Sequence, residues 1–145
     1  MQIRRGRPND LARLMELEAA CFEPERRDSK VVLQNSLHSP HQEVWVIVHQ
    51  RRIQASLFLR FHPKTCRIHS IAVDPAARGL GFGNRLLSLA HRRARSRGCL
   101  RMSLEADARN EKLLLWYESM GYTRVRRLRG YYAPRWDGFR FQRSL

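Results

Sequence analysis

Apolar positions along the chain recur with two periods, and each change of period marks a change of element. Ile3 to Arg7 is short and β-compatible, and Pro8-Asn9-Asp10 then supplies a turn and an N-cap. Leu11, Leu14, Met15, Leu17 and Glu18 follow at helical spacing, predicting an amphipathic helix that ends near Cys21-Phe22. Pro24 closes it, and a second helix from about Ser29 carries Val32, Leu33 and Leu37 inward until Pro40. Val44 to Val48 and Ile53 to Phe61 are β-rich runs around the polar Gln50-Arg51-Arg52, the pattern of a hairpin. Arg67 to Val73 reads as a third strand of this group, ended by Asp74-Pro75. A long helix then carries Phe82, Leu86, Leu87, Leu89, Ala90 and Ala94 on one side, with Gly98 as its stop. Leu100 to Glu105 alternates as a strand, and Asn110 through Met120 is helical up to Gly121. Tyr122 to Leu128 and Phe139 to Leu145 are two further strands, joined by a loop from Gly130 to Gly138. The order β-α-α-β-β-β-α-β-α-β-β mixes hairpins with crossovers. It predicts an α/β (α+β) fold, a mixed central sheet of about seven strands with about four helices on both faces.

A chain of 145 residues accommodates one domain of ordinary size, spanning residues 1–145. Its 28 Lys+Arg against 13 Asp+Glu give a formal charge of +15, and 25 of the 28 are Arg. That balance points to an anionic partner, whether nucleic acid, an anionic surface or a phosphate-bearing ligand; a GC-rich coding background is an alternative account of the arginine excess. No apolar stretch approaches the ~20 residues of a membrane span, and no apolar region follows Met1-Gln2-Ile3-Arg4-Arg5, so neither a membrane nor export is expected. Cys21, Cys66 and Cys99 are odd in number and scattered, which predicts free thiols in a reducing cytoplasm. The histidines lack metal-ligand spacing, so no metal is expected.

The sharpest local feature is Arg78-Gly79-Leu80-Gly81-Phe82-Gly83-Asn84, between a strand and a helix. Glycines at alternate positions let a backbone approach an anion closely, and the helix start offers unpaired N–H groups at the positive end of its dipole. No Gly-Lys-Ser/Thr follows, and the spacing is not G-x-G-x-x-G, so neither a Walker loop nor a dinucleotide fingerprint is present.

Arg78 to Gly83 resembles the Q/R-x-x-G-x-G/A motif of the GNAT superfamily of N-acetyltransferases, and Ser70-Ile71-Ala72-Val73-Asp74-Pro75 is similar to that family's fourth strand. Leu104-Glu105, Asn110 and Leu114 through Tyr122 resemble the corresponding region of the ribosomal-protein-alanine N-acetyltransferases, as does Tyr131-Tyr132 before Pro134. The resemblance implies acetyl-coenzyme A as cosubstrate, its pyrophosphate on the amides of residues 78–84. It implies pantetheine paired along Ile71, Ala72 and Val73, with an N–H near Val73 polarising the thioester carbonyl. Asn110 would contact the cofactor and Tyr117 would protonate the leaving thiolate. Asn110, Leu113, Leu114 and Tyr117 fall at i, i+3, i+4 and i+7, one stripe suited to a ligand of mixed character.

Attack by an amine on a thioester also needs a proton acceptor, because a primary ammonium is charged at neutral pH. Glu105 alternates away from Met102 and Leu104 and so points to the cleft side if those two face the core, making it the expected carboxylate, directly or through a water. Phe22, Ser70, Tyr131 and Tyr132 are expected walls for the acceptor. That acceptor is expected to be a protein or peptide α-amine, with a small amine such as a polyamine, amino sugar or drug as the alternative. A third possibility keeps the fold as a non-catalytic RNA- or ribosome-binding module, its basic groups being Arg92-Arg93-Arg95-Arg97 and Arg124-Arg126-Arg127-Arg129. The ribosomal-protein enzymes carry Phe-Pro-Trp after the first helix where this chain has Phe22-Glu23-Pro24, a departure on the acceptor side. A monomer or homodimer is expected.

Overall fold

The computed structural model describes residues 1–145. Seven strands, β1 (Gln2–Arg5), β2 (Gln42–His49), β3 (Arg52–Phe61), β4 (Thr65–Val73), β5 (Arg101–Asp107), β6 (Thr123–Ala133) and β7 (Trp136–Ser144), form one sheet in the order β1-β2-β3-β4-β5-β7-β6. The helices are α1 (Leu11–Cys21), α2 (Lys30–His38), α3 (Phe82–Ser96) and α4 (Glu111–Ser119). The predicted element order is therefore the observed one, and the sheet is mixed: β4 and β5 pair in parallel, every other neighbour antiparallel.

Two cores lie on the two faces. The larger one sets Phe82, Leu86, Leu87, Ala90 and Ala94 of α3 and Leu114 and Tyr117 of α4 among sheet residues such as Leu57, Ile68, Met102, Leu104 and Phe141. The smaller one joins Leu14 and Leu17 of α1 and Leu33 of α2 to Val44, Val46, Ile53 and Phe58. Two helix positions differ from the sequence expectation. Met15 is 40% exposed, and in α2 Ser36 is buried where Val32 was expected to be, its hydroxyl donating to Val32 O at 3.1 Å. Satisfying its hydroxyl within its own helix lets a serine occupy a buried face.

The expected Gly130 to Gly138 loop is instead largely strand. β6 and β7 meet across the two-residue turn Pro134-Arg135, with Ala133 opposite Trp136 and Leu128 opposite Gly138. Arg129 through Tyr132 thus stand against Asp137 alone, forming a wide bulge. The Asp137 carboxylate replaces the missing ladder partners, accepting from Gly130 N–H and Arg127 Nε at 2.8 Å each. Gly130 and Pro134 looked like loop residues in the sequence, but the bulge absorbs the first and the tight turn uses the second.

Candidate active site

β4 and β5 pair only from Thr65 to Ile68 against Arg101 to Leu104 and then part. On its other side β4 stays paired with β3, Leu57 facing Ile71 and Ala55 facing Val73, so Ile71 to Val73 present an unpaired backbone edge to the gap. A cleft of about 440 Å³ opens there, walled by these residues and by Leu113, Trp116 and Tyr117 of α4.

The glycine turn closes one end of the cleft. Gly79 and Gly81 have φ of +85° and +82°, and nothing lies within 4 Å of where a Cβ would stand on either. Gly81 caps α3, and Arg85 N–H is the first to donate back, to Gly81 O at 3.1 Å. The N–H groups of Phe82, Gly83 and Asn84 therefore have no partner within the helix, at the positive end of 15 residues of aligned dipoles. Arg78 and Gly83 reach the cleft wall, and Arg78 Nε donates to Val73 O at 3.3 Å. Other side chains of the turn are spent elsewhere. Leu80 faces solvent, Phe82 packs on His49 with ring centroids 5.4 Å apart, and Asn84 Oδ1 accepts from Trp116 Nε1 at 2.8 Å.

On α4 the expected stripe divides. Asn110 lines the cleft but also caps the helix, its Oδ1 accepting from Leu113 N–H at 3.1 Å. Leu114 is fully buried in the core and does not line the cleft, because α4 lies against β5 and turns that position inward; Leu113 and Trp116 line it. Tyr117 is 4% exposed and lines the cleft; burial pushes its phenol well above the usual range, so it is protonated at neutral pH.

Glu105 sits where the cleft meets a second cavity, of about 110 Å³, and belongs to the walls of both. Met102 and Leu104 are buried on the opposite face of β5, as the alternation required. Both carboxylate oxygens are engaged: Arg67 Nε donates to Oε2 at 3.0 Å and Arg140 Nη2 to Oε1 at 3.3 Å. Phe22, Ser70, Tyr131 and Tyr132 all line the second cavity. The β6 bulge is what carries the two tyrosines over it. Arg26 lies 5.0 Å from the Phe22 ring centre and 4.5 Å from that of Tyr132, tying the α1–α2 connection to the bulge. Arg67 Nη2 donates to the Tyr131 hydroxyl at 3.2 Å.

Sequence reasoning missed several residues here. Glu18, Arg26, Asp28, Arg67 and His69 complete the second cavity. Burial pushes the Glu18 carboxyl up to about 7, against the pull of a hydrogen bond from Asp28 N–H at 2.9 Å. His69 Nε2 bonds Asp28 Oδ2 at 2.7 Å. A carboxylate on the apolar face of a helix was the available signal for Glu18. His69 gave none: β3 and β4 slip register between Phe58–Ser70 and Leu59–Ile68, and His69 is the unpaired residue.

The cleft thus has an unpaired strand edge along one wall, an amide turn at one end and a polar cavity at the other. The model of the acetyltransferase (GNAT) family matches residues 11–122. The chain belongs to this family. Among curated GNAT-like relatives, the N-alpha-acetyltransferase RimI of Mycobacterium tuberculosis is 33% identical over 129 residues, 85% of this chain and 78% of that protein. The mycothiol acetyltransferase of Thermomonospora curvata is 30% identical over 127 residues, 71% of this chain but 43% of that protein. The chain spans less than half the length of several curated relatives it matches. In fold, this GNAT chain superposes on the ribosomal-protein-S18-alanine N-acetyltransferase of Escherichia coli with a TM-score of 0.90 at 20% identity, covering 99% of this chain and 92% of that one.

Proposed function

We propose that this chain transfers an acetyl group from acetyl-coenzyme A to a primary amine, the α-amine of a protein or peptide, by direct attack while both substrates are bound. One observation carries the reading: a long cleft that ends in unpaired backbone amides joins, at Glu105, a small polar cavity walled by aromatic rings. The residues fit the cosubstrate. Amides of Phe82, Gly83 and Asn84, with Arg78, would hold the pyrophosphate; the free edge of Ile71 to Val73 would pair with the amide-bearing arm; and Leu113 and Trp116 cover its apolar stretch. Bound acetyl-coenzyme A supplies the activated acetyl carbon. Tyr117, protonated and lining the cleft, would give a proton to the leaving sulfur. Glu105, fixed by two guanidiniums, would hold the amine or an intervening water in line.

The similarity to RimI supports the α-amine over other amines, as does a further polar surface beyond Glu105, lined by Arg67, Ser103, Arg140 and Gln142, along which a chain could lie. Its arginines suit an acceptor carried near RNA, such as a ribosome-bound protein. Three free cysteines suit a reducing cytoplasm.

Titration calorimetry of acetyl-coenzyme A, followed by thiol release with N-terminal peptides and with polyamines or amino sugars, tests the proposal. Binding and peptide-dependent thiol release are expected; absence of cosubstrate binding ends it, and turnover of small amines alone moves the acceptor to that class.

A further inference from the structure

Three carboxylates are buried in this fold: Glu18, Glu43 and Asp107. Glu43 is held by Arg93 and Arg97, and Asp107 by Arg109. Glu18 has no cationic partner. Its Oε2 accepts only the Asp28 N–H at 2.9 Å, and the residue is 5% exposed at the wall of the cavity beside Glu105.

The other charged or titratable groups around it are already engaged. From the α1–α2 connection, Asp28 bonds His69, Arg26 lies between two aromatic rings, and Arg27 donates to Phe22 O and Ala19 O. From β4 and β5, Arg67 and Glu105 bond each other, and Arg140 of β7 takes the other oxygen of Glu105. From β6, Tyr131 accepts from Arg67, while Tyr132 stacks under Arg26 with its phenol pushed up to about 12 by burial. A cation entering the cavity thus finds in Glu18 a carboxylate that neither an arginine nor a histidine engages. An unpaired buried carboxylate is costly until a cation or a proton reaches it.

We infer that Glu18 receives the acceptor's ammonium group and takes its first proton, while Glu105 keeps the freed amine in line. This rests on the acetyltransferase reading above. The N–H bond of the ammonium breaks and an O–H bond forms on Glu18. The nitrogen lone pair then forms the bond to the acetyl carbon as the carbon–sulfur bond breaks. Tyr117 gives its proton to sulfur and regains one from the acylated nitrogen through water, and Glu18 returns its proton to solvent. The two carboxylates divide the work by environment. Glu105 is charge-paired, whereas burial sets Glu18 at about 7, half-ionised where a general base operates best.

Carboxyl carbon NMR of the free protein, with methylammonium chloride as the probe, reads the site without turnover. Glu18 is expected to titrate near neutrality and to shift downward when the probe is added. In the kinetic arm, an alanine-terminated peptide with acetyl-coenzyme A should give a kcat/KM that rises through an apparent pKa near 7. Glu18→Gln should abolish that limb and lower the rate about 100-fold. Calorimetric affinity for acetyl-coenzyme A should stay unchanged, and Glu18→Asp should restore part of the rate. A Glu18→Gln enzyme with the wild-type rate and pH profile, or a Glu18 carboxyl that titrates as an exposed one and ignores methylammonium, overturns the inference. Wild-type protein inert toward every amine defeats the acetyltransferase reading instead, and the NMR arm still decides whether Glu18 is the ammonium site. If Glu18→Gln fails to fold, Glu18→Asp and the wild-type titration carry the test.

Discussion

Tyr117 and Gly81 do opposite things with their surroundings. Tyr117 is packed among aromatic neighbours, its ring 5.7 Å from Tyr122 and 5.9 Å from Phe141, and the residue lines the cleft with no hydrogen bond to hold its hydroxyl. Tyr117→Phe keeps that packing and removes only the donor. We expect kcat to fall at least about tenfold with acetyl-coenzyme A affinity unchanged, read by steady-state kinetics beside calorimetry. Gly81 contributes no side chain but a backbone angle, φ +82° at the cap of α3. Gly81→Ala meets no neighbour, so its cost is conformational, about 1–2 kcal/mol, read as a lower urea midpoint. Because the same angle aims the first amides of α3, the substitution should also weaken acetyl-coenzyme A binding.

At the scale of elements, the chain's order and most of its faces were legible because period and punctuation agreed along most of its length. Pro24, Asp74-Pro75, Gly98 and Gly121 each fell where an element ended, and every apolar position expected on α3 is buried. What the periodicity could not carry was pairing register. The parting of β4 from β5, the slip that frees His69 and the bulge that lifts Tyr131 and Tyr132 all depend on how distant strands align, and neither strand encodes that alone. The four residues expected around the acceptor all line the second cavity, whereas Leu114 lies in the core rather than on the cleft wall. Distant elements are also joined by charge. Burial would raise the Glu43 carboxyl, but hydrogen bonds from Arg93, Trp45 and Arg97 bring it down to about 2, tying β2 to α3. Glu43→Ala leaves those donors unpaired and should cost about 3–5 kcal/mol, measured by denaturant unfolding.

Across the whole molecule, two buried groups set opposing pH dependences. Burial, with Arg143 and Arg95 nearby, lowers His91 to about 4, and its ring accepts from Arg143 Nη1 at 2.9 Å and donates to the Tyr122 hydroxyl at 2.8 Å. Its pKa is depressed on folding, so stability falls as pH drops from about 6.5 toward 4, where the unfolded chain alone takes the proton. Glu18 is raised instead, and its contribution is lost as pH climbs from about 4.5 through 7. Urea unfolding should therefore find Glu18→Gln gaining on the wild type across that window, by up to about 3 kcal/mol. The net charge acts at longer range. Ten of the 25 arginines pair with carboxylates, and Arg126 and Arg129, which share a surface with Tyr131, are not among them. Peptides with acidic residues after the N-terminus should outcompete lysine-rich ones in kcat/KM, and added salt should shrink the difference.

The parting of β4 and β5 gives the cosubstrate a mechanical part to play. One half of the sheet runs from β1 to β4 and the other from β5 to β6, and beyond Leu104 no ladder hydrogen bonds join them. A bound pantetheine arm would act as a splint across that seam, making two leaves into one plate. Slower amide exchange at Ile71 to Val73 and at Ala106 on loading, together with a rise in melting temperature, is the expected signature.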